Sequence, residues 1–324
     1  MSTAAKGIIF EGVYFTDLHL LHRSISTRLD NSSEAALRKL EFVLDYAASH
    51  GIKHVLHGGD LVSDAIDSDE YKGRINRILR KAKDQGTLFL TLVGNHDVAH
   101  RDFDKYVRRP INIIESAGLA EILNTQLLLV GILGISAYDE EIVNRLSEQE
   151  AQIVRVILGH HYINAGPDKL ILPLADLKTK FPNLTHIFVG HDHNEYPDRT
   201  TLGVTIVRPG GALRVSTAKE NVERAPKALV VRIHEDWSVT YTALILPHRS
   251  AAEIFDLTAK AIDKDADAQL EEFQETLAST KAVGVDVESL VQAKLTGMAD
   301  KMDKATYDAL TEDVLHDREA LLSA

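Results

Sequence analysis

No cysteine occurs among the 324 residues, which excludes disulfides, thiolate nucleophiles and cysteine-ligated zinc or iron–sulfur centres. Any metal must be held by histidine, carboxylate, amide and water, a set that suits manganese, iron(II), zinc or magnesium. No run approaches the roughly 20 apolar residues of a membrane-spanning helix. The opening Met-Ser-Thr-Ala-Ala-Lys lacks a signal peptide's apolar stretch, so the expectation is a cytoplasmic protein with no membrane partner. The pattern G-x-x-x-x-G-K-[ST] is missing too, so ATP dependence would need a separate ATPase subunit. Positive charge is also short, with a net balance of −12, which argues at first sight against a polyanionic substrate. Its location weakens that objection. Residues 248–324 carry 17 acidic and 8 basic side chains, a balance of −9, whereas the first 247 carry 31 and 28, a balance of −3. Two divalent ions would make a nearly neutral core locally positive.

Runs rich in Val, Ile, Leu, Phe and Thr predict strands at about 8–16, 53–57, 87–93, 127–136, 153–158, 186–189, 204–207, 228–234 and 238–245. Ser32-Ser33-Glu34 reads as a helix start, with an apolar face from Ala35 to Tyr46 that ends at Gly51. A second, basic helix is predicted over 69–84, and a shorter one over 170–180, interrupted by Pro173. Alternating strands and helices predict a layered α/β core, with an antiparallel addition after about residue 200. Beyond Pro247 no strand-like run remains. The expected division is therefore a catalytic domain over 1–247 and an acidic tail over 248–324, made of two or three helices broken near Gly284 and Gly297 and either packing or docking a partner.

Five short segments carry the chemistry: Asp17-Leu18-His19, Gly59-Asp60, Gly94-Asn95-His96-Asp97, Gly159-His160-His161 and Gly190-His191-Asp192-His193. Each follows an apolar run, so each is expected where a strand ends. Together they offer carboxylates, an amide and at least four imidazoles, the groups that hold two divalent ions about 3.5–4 Å apart. Asp60 is the best bridge, because an anion with two oxygens can offset the repulsion between the ions, and Gly58-Gly59 lets backbone approach closely. Asp17 and His19, two apart, are expected to face the same side of an extended strand end. His191 and His193 share that spacing, and Asn95 supplies a neutral oxygen that leaves the ions Lewis-acidic. Each motif alone is weak, and their joint order after apolar runs is what carries weight.

That order resembles the calcineurin-like metallophosphoesterase superfamily across residues 17–193. The resemblance implies a four-layer αββα sandwich, here with a small C-terminal β appendage and a helical tail. It also implies that Asp17, His19, Asp60 and His193 hold one ion, and Asp60, Asn95, His160 and His191 the other. The matching block places its ligand first, which favours His160 and leaves His161 beside it or on substrate. His96 then faces the substrate and protonates the leaving alkoxide or stabilises phosphoryl oxygens, while Asp97 orients its imidazole. The ions would supply an activated water that attacks phosphorus in line, with no covalent enzyme intermediate.

Within the superfamily the chain is most similar to the nuclease subunits of SbcD-type and T-even phage recombination complexes. The features are Asp17-Leu18-His19-Leu20, His50-Gly51-Ile52-Lys53 feeding Gly59-Asp60-Leu61, Leu158-Gly159-His160, and Arg208-Pro209-Gly210-Gly211 after the histidine block. The resemblance implies DNA as substrate, manganese as metal, and an SMC-like coiled-coil ATPase that docks on the helices after the core. A homodimer is compatible with it. Val62-Ser63 departs from the aromatic and histidine that the family often places there. Lys72, Arg74, Arg77, Arg80, Lys81 and Lys83 on the second helix, and Arg101, Lys105, Arg108 and Arg109 after the third segment, would bind a phosphate backbone or line a solvated face. Arg208 and Arg214 fit phosphate recognition or a strand-connecting turn equally well. His22, His54, His57, His100 and His186 read as surface or core residues. The rival functions are a stand-alone phosphoesterase of small diesters such as cyclic nucleotides, and a scaffold holding structural metal.

Overall fold

Alternation in the first strand sets the layering. In β1 (Ile8–Phe15), Val13 and Phe15 point one way and Tyr14 the other. The same switch recurs at Val55 and Leu56 of β2 (His54–His57) and at Phe89 and Leu90 of β3 (Leu88–Thr91). These three run parallel and are followed by the short parallel β4 (Glu121–Ile122). A second sheet is built from β5 (Ile132–Ile135), β6 (Val156–Gly159), β7 (His186–Val189), β8 (Tyr196–Thr201) and β9 (Val204–Arg208), in the order β5-β6-β7-β9-β8. All are parallel except β8. The chain then returns to the first sheet as β10 (Lys227–His234) and β11 (Val239–Ile245), giving β11-β10-β1-β2-β3-β4. The computed structural model describes residues 7–21, 25, 28–62, 68–97, 110–137, 139, 141–160 and 173–256.

The helices of the described residues are α1 (Ser32–Ser49), α2 (Asp69–Asp84), α3 (Pro110–Ser116), α4 (Ile142–Arg145), α5 (Glu148–Ile153), α6 (Leu174–Lys180), α7 (Lys219–Glu223) and α8 (Ala251–Ile254). Leu37, Leu40, Val43 and Leu44 of α1 and Tyr71, Ile75 and Leu79 of α2 cover Val13, Phe15, Val55 and Phe89. Ala151 of α5 and Leu177 of α6 cover Leu133, Ile135, Ile157 and Ile187 of the second sheet. Between the sheets lie Tyr14, Leu56 and Leu90 against Leu158, Phe188 and Val207. Three apolar seams therefore separate four layers in the order helix, sheet, sheet, helix, and each fully buried side chain in them contributes roughly 1.5–3 kcal/mol.

Some expectations move. Asn31, not Ser32, caps α1, its side chain accepting the Glu34 amide at 3.0 Å. The antiparallel strands expected after residue 200 are present and extend the two sheets: β9 pairs antiparallel with β8 and parallel with β7 in the second, and β10 and β11 add antiparallel at the β1 edge of the first. The contact pattern divides the chain into Met1–Leu257 and Thr258–Ala324. The first unit passes the expected end at Pro247 because Ile254 and Phe255 are buried, and Phe255 forms a β-bridge with Arg28. The tail helices expected beyond residue 256 lie outside the described residues, as does His161. Among the described residues no helix is long and apolar enough to cross a membrane.

Candidate metal centre

All five segments leave the C-terminal ends of parallel strands. Asp17 and His19 follow β1, Asp60 follows β2, and Asn95, His96 and Asp97 follow β3. His160 follows β6, while His191 and His193 follow β7. In open α/β sheets such ends form the ligand-binding edge. Neighbouring loops are laced together: the Asp17 amide donates to the Gly59 carbonyl at 3.1 Å, His19 to Asp60 at 3.0 Å, and Gly190 to Gly159 at 3.0 Å. Asp17, His19, Asp60 and His191 take left-handed backbone, with φ of 52°, 48°, 54° and 75°. For residues with a Cβ that conformation is costly and concentrates at functional sites. The expected extended end of β1 is thus corrected. Asp17 and His19 converge because each peptide turns left-handed, not because a strand alternates.

Two donor groups result. Asp17, His19, Asp60 and His193 bring their ligand atoms within 4.8 Å of one another, and so do Asp60, His160 and His191. Asp60 belongs to both. Its Oδ1 lies 3.4 Å from His160 Nε2 and its Oδ2 lies 3.8 Å from His19 Nε2. His193 Nε2 is 2.9 Å from His19 Nε2 and 3.7 Å from Asp17 Oδ1. Asn95 Oδ1 completes the second group, 3.1 Å from His160 Nε2 and 2.7 Å from His191 Nδ1. Ligands around one ion with bonds near ~2.1 Å are separated by roughly 3–3.5 Å, so these gaps suit a shared cation. Among the described residues Asp60 Oδ2 is buried with no hydrogen-bond partner, the acceptor an ion would satisfy. The residues present therefore could hold two metal ions.

The surroundings hold these donors in place. His160 Nδ1 lies 2.7 Å from the Gly58 carbonyl, which can only accept, so Nδ1 carries the proton and Nε2 faces Asp60. Thr16 Oγ1 donates to Asp17 Oδ2 at 2.7 Å. A Cβ on Gly94 would overlap Asp60 Oδ1 and its amide, and Gly59 at φ 98° sits against the His160 ring. Neither place admits a side chain.

Burial and charge pull in opposite directions in the metal-free protein. Burial raises Asp17, partly offset by His160 and His193. Burial also acts to raise Asp60, but His160 and His19 outweigh it and hold that carboxyl below the ordinary range. Burial would lower His160, yet Asp60 and Asp17 lift it to about 9, while burial drops His19 to about 3. Like and unlike charges crowded out of water are what a pair of cations would reorganise.

His96 is exposed beside the cluster, its ring centroid 5.1 Å from that of His19, and its amide donates to Asp60 Oδ1 at 2.9 Å. Asp97 departs from its expected place. Its carboxylate is buried and accepts the amides of Gly94 at 2.8 Å, Val62 at 3.1 Å and Leu61 at 3.3 Å. Among the described residues its hydrogen bonds all go to backbone, so it clamps the Asp60 and Asn95 loops together and does not orient His96. Burial and the Asp60 charge raise it to about 7. Spacing alone misses this, because adjacent residues in a turn point apart.

The remaining candidates separate. His54 packs on Phe10 and His186 on Phe188. His57 is buried against Phe15 and bonds Thr91 Oγ1 at 3.1 Å. Arg208 stacks over Tyr196, and Arg214 donates to the Val222 carbonyl. Arg74 of α2 pairs with Glu34, Lys81 with Asp45 and Glu41, and Lys72 with Asp69, so much of that basic cluster is spent within the protein. Ser63, His22, His100, Arg101, Lys105, Arg108 and Arg109 lie outside the described residues.

A family model for the calcineurin-like phosphoesterases matches residues 13–195, more than half of the chain and every donor described above. The chain belongs to the calcineurin-like phosphoesterase family. It is similar to the uncharacterized protein YvnB of Bacillus subtilis, 24% identical over an alignment of 186 residues that covers 48% of this chain and 14% of that protein. It is also similar to the DNA double-strand break repair protein Mre11 of Sulfolobus acidocaldarius, 26% identical over 148 residues, 44% of this chain and 37% of that one. The match thus spans well under half of either relative's length. Similar solved structures include TT1561 of Thermus thermophilus, 10% identical with a TM-score of 0.44, covering 72% of this chain and 98% of that one. A dimetal phosphatase from Danio rerio is 12% identical with a TM-score of 0.40, covering 76% and 98%.

Proposed function

We propose that this calcineurin-like phosphoesterase is a phosphodiesterase that cuts DNA, acting as the nuclease subunit of a recombination or repair complex with a coiled-coil ATPase. The observation that carries the chemistry is the pair of donor groups sharing Asp60 beside an exposed imidazole, His96. Bound divalent ions, manganese by this reading, would supply Lewis acidity and an activated water. Asp17, His19, Asp60 and His193 are assigned to one ion, and Asp60, Asn95, His160 and His191 to the other. The Gly58 carbonyl keeps the His160 proton on Nδ1, so Nε2 is the coordinating atom. His96 reaches the leaving oxygen and delivers a proton from its ring. Asp97 holds its loop.

Similarity to Mre11, whose name records double-strand break repair, supports DNA as substrate. One observation favours the second reading, a phosphoesterase of small diesters: Arg74 and Lys81 of α2 are engaged by Glu34, Glu41 and Asp45 of α1. Full-length protein loaded with manganese should degrade end-labelled duplex or single-stranded DNA, and the coiled-coil ATPase should co-purify with the native protein. Hydrolysis of a cyclic nucleotide or bis-p-nitrophenyl phosphate with intact DNA would replace the nuclease reading with the second.

A further inference from the structure

Away from the donor groups, the described residues enclose a cavity of about 190 Å³ lined by Arg28, Arg38, Lys39, Arg214 and Arg249, with Asp30 as the acid in its wall. Arg28 takes that acid for itself, Nε to Oδ1 at 2.8 Å and Nη2 to Oδ2 at 2.9 Å. Lys39 and Arg214 are buried, yet their bonds go to carbonyls: Lys39 to Ala212 at 2.6 Å, Arg214 to Val222 at 2.9 Å. An ammonium has three donors. Among the described residues Lys39 spends one. Arg224, buried beside this cluster, leaves Nη1 without a partner among the described residues. Taking several cations out of water together is unfavourable unless an anion joins them. Burial, and then the charges of Arg28, Arg224 and Arg214, hold the Lys39 ammonium well below its ordinary range, a direction an anion would reverse.

We propose that this cavity is a second ligand site, distinct from the metal centre, that binds a phosphate group. The space is more than ten times what one water needs, and it is lined by guanidinium and ammonium groups, the chemistry that recognises phosphate oxygens. The phosphate belongs either to a free phosphoanion or to a nucleic-acid backbone. The site backs onto the metal loop. Lys39 and Arg28 grip the carbonyls of Ala212 and Arg214, while the amides of Ala212 and Leu213 donate to the carbonyls of Thr16 at 2.7 Å and Asp17 at 3.2 Å.

The test uses full-length protein stripped of metal by a chelator, so that the donor groups do not hold the anion, titrated calorimetrically with inorganic pyrophosphate and separately with a short single-stranded oligonucleotide. Arg38 and Arg249 are exposed at the rim, so the double variant R38Q/R249Q should melt like wild type when no anion is present. Pyrophosphate should bind wild type and lose ten-fold or more in affinity in the double variant. An oligonucleotide that weakens in parallel and competes with pyrophosphate assigns the phosphate to a nucleic-acid backbone, and pyrophosphate binding alone assigns a free phosphoanion. No pyrophosphate binding to wild type, or equal affinity in the folded double variant, overturns the site.

Discussion

The Asp17 carboxylate accepts the His191 amide with both oxygens, at 3.0 and 3.1 Å. The bond joins the loop after β1 in one sheet to the loop after β7 in the other. Asp17 therefore ties the two sheets together as well as standing among the residues that could hold a metal ion. In chelator, Asp17→Ala should lose about 1–3 kcal/mol of stability, since it removes both oxygens that the part-buried His191 amide is bonded to. Asp17→Asn keeps an acceptor and should melt near wild type while binding less metal. An Asp17→Ala protein that melts like wild type without metal would remove the structural half of this role.

His96 and Asp97 should separate by measurement although they are neighbours in sequence. His96→Ala should keep its metal and its melting temperature and lose turnover by about 10²-fold or more, the usual size of a general-acid effect. Asp97→Ala strands three buried amides, so it should lose several kcal/mol and much of its metal with them. Thermal melts and metal content decide the matter. A stable, metal-replete Asp97→Ala with only a slow turnover would restore the orienting role expected from the sequence.

Lys39 gives a pH signature from outside the donor groups. Its native pKa is lowered by burial and by the cations Arg28, Arg224 and Arg214, with Asp30 opposing. Below the ordinary lysine value of about 10.4 the unfolded chain keeps the proton that the native state tends to release. Where the unfolded state binds more protons, stability rises with pH. In phosphate-free buffer, wild-type stability should therefore climb from the depressed native pKa toward pH ~10, and Lys39→Met should flatten that climb. Denaturant melts at several pH values give the slope, and an identical slope in the variant would contradict the account.

The five segments were legible because each donor follows an apolar strand, and β7 and α2 fall at residues 186–189 and 69–84 as the pattern predicts. Other elements were hidden for physical reasons. β8 (Tyr-Pro-Asp-Arg-Thr-Thr) is an exposed edge strand with no apolar alternation to betray it. The apolar start of the run at 127–136 is a 3-10 turn, Leu128–Val130, ending at Gly131 with φ 81°. Residues 148–153 turn helical because Ser147 and Glu150 form a capping box ahead of the strand. The positive φ at Asp17, His19, Asp60 and His191 has only a weak signal in residue type: Asp and His enter the left-handed region more readily than most residues with a Cβ, yet few of them do. The basic cavity has none: its cations lie at 28, 38, 39, 214 and 249 and meet only once the chain has folded.

Metal content, read by plasma mass spectrometry on stripped and manganese-reloaded protein alongside hydrolysis of bis-p-nitrophenyl phosphate, bears most directly on the shared Asp60 site. The account predicts about two ions per chain, activity that appears with the second, and loss of both in Asp60→Ala. One ion or none in the reloaded wild type, or hydrolysis that survives complete stripping, would contradict it.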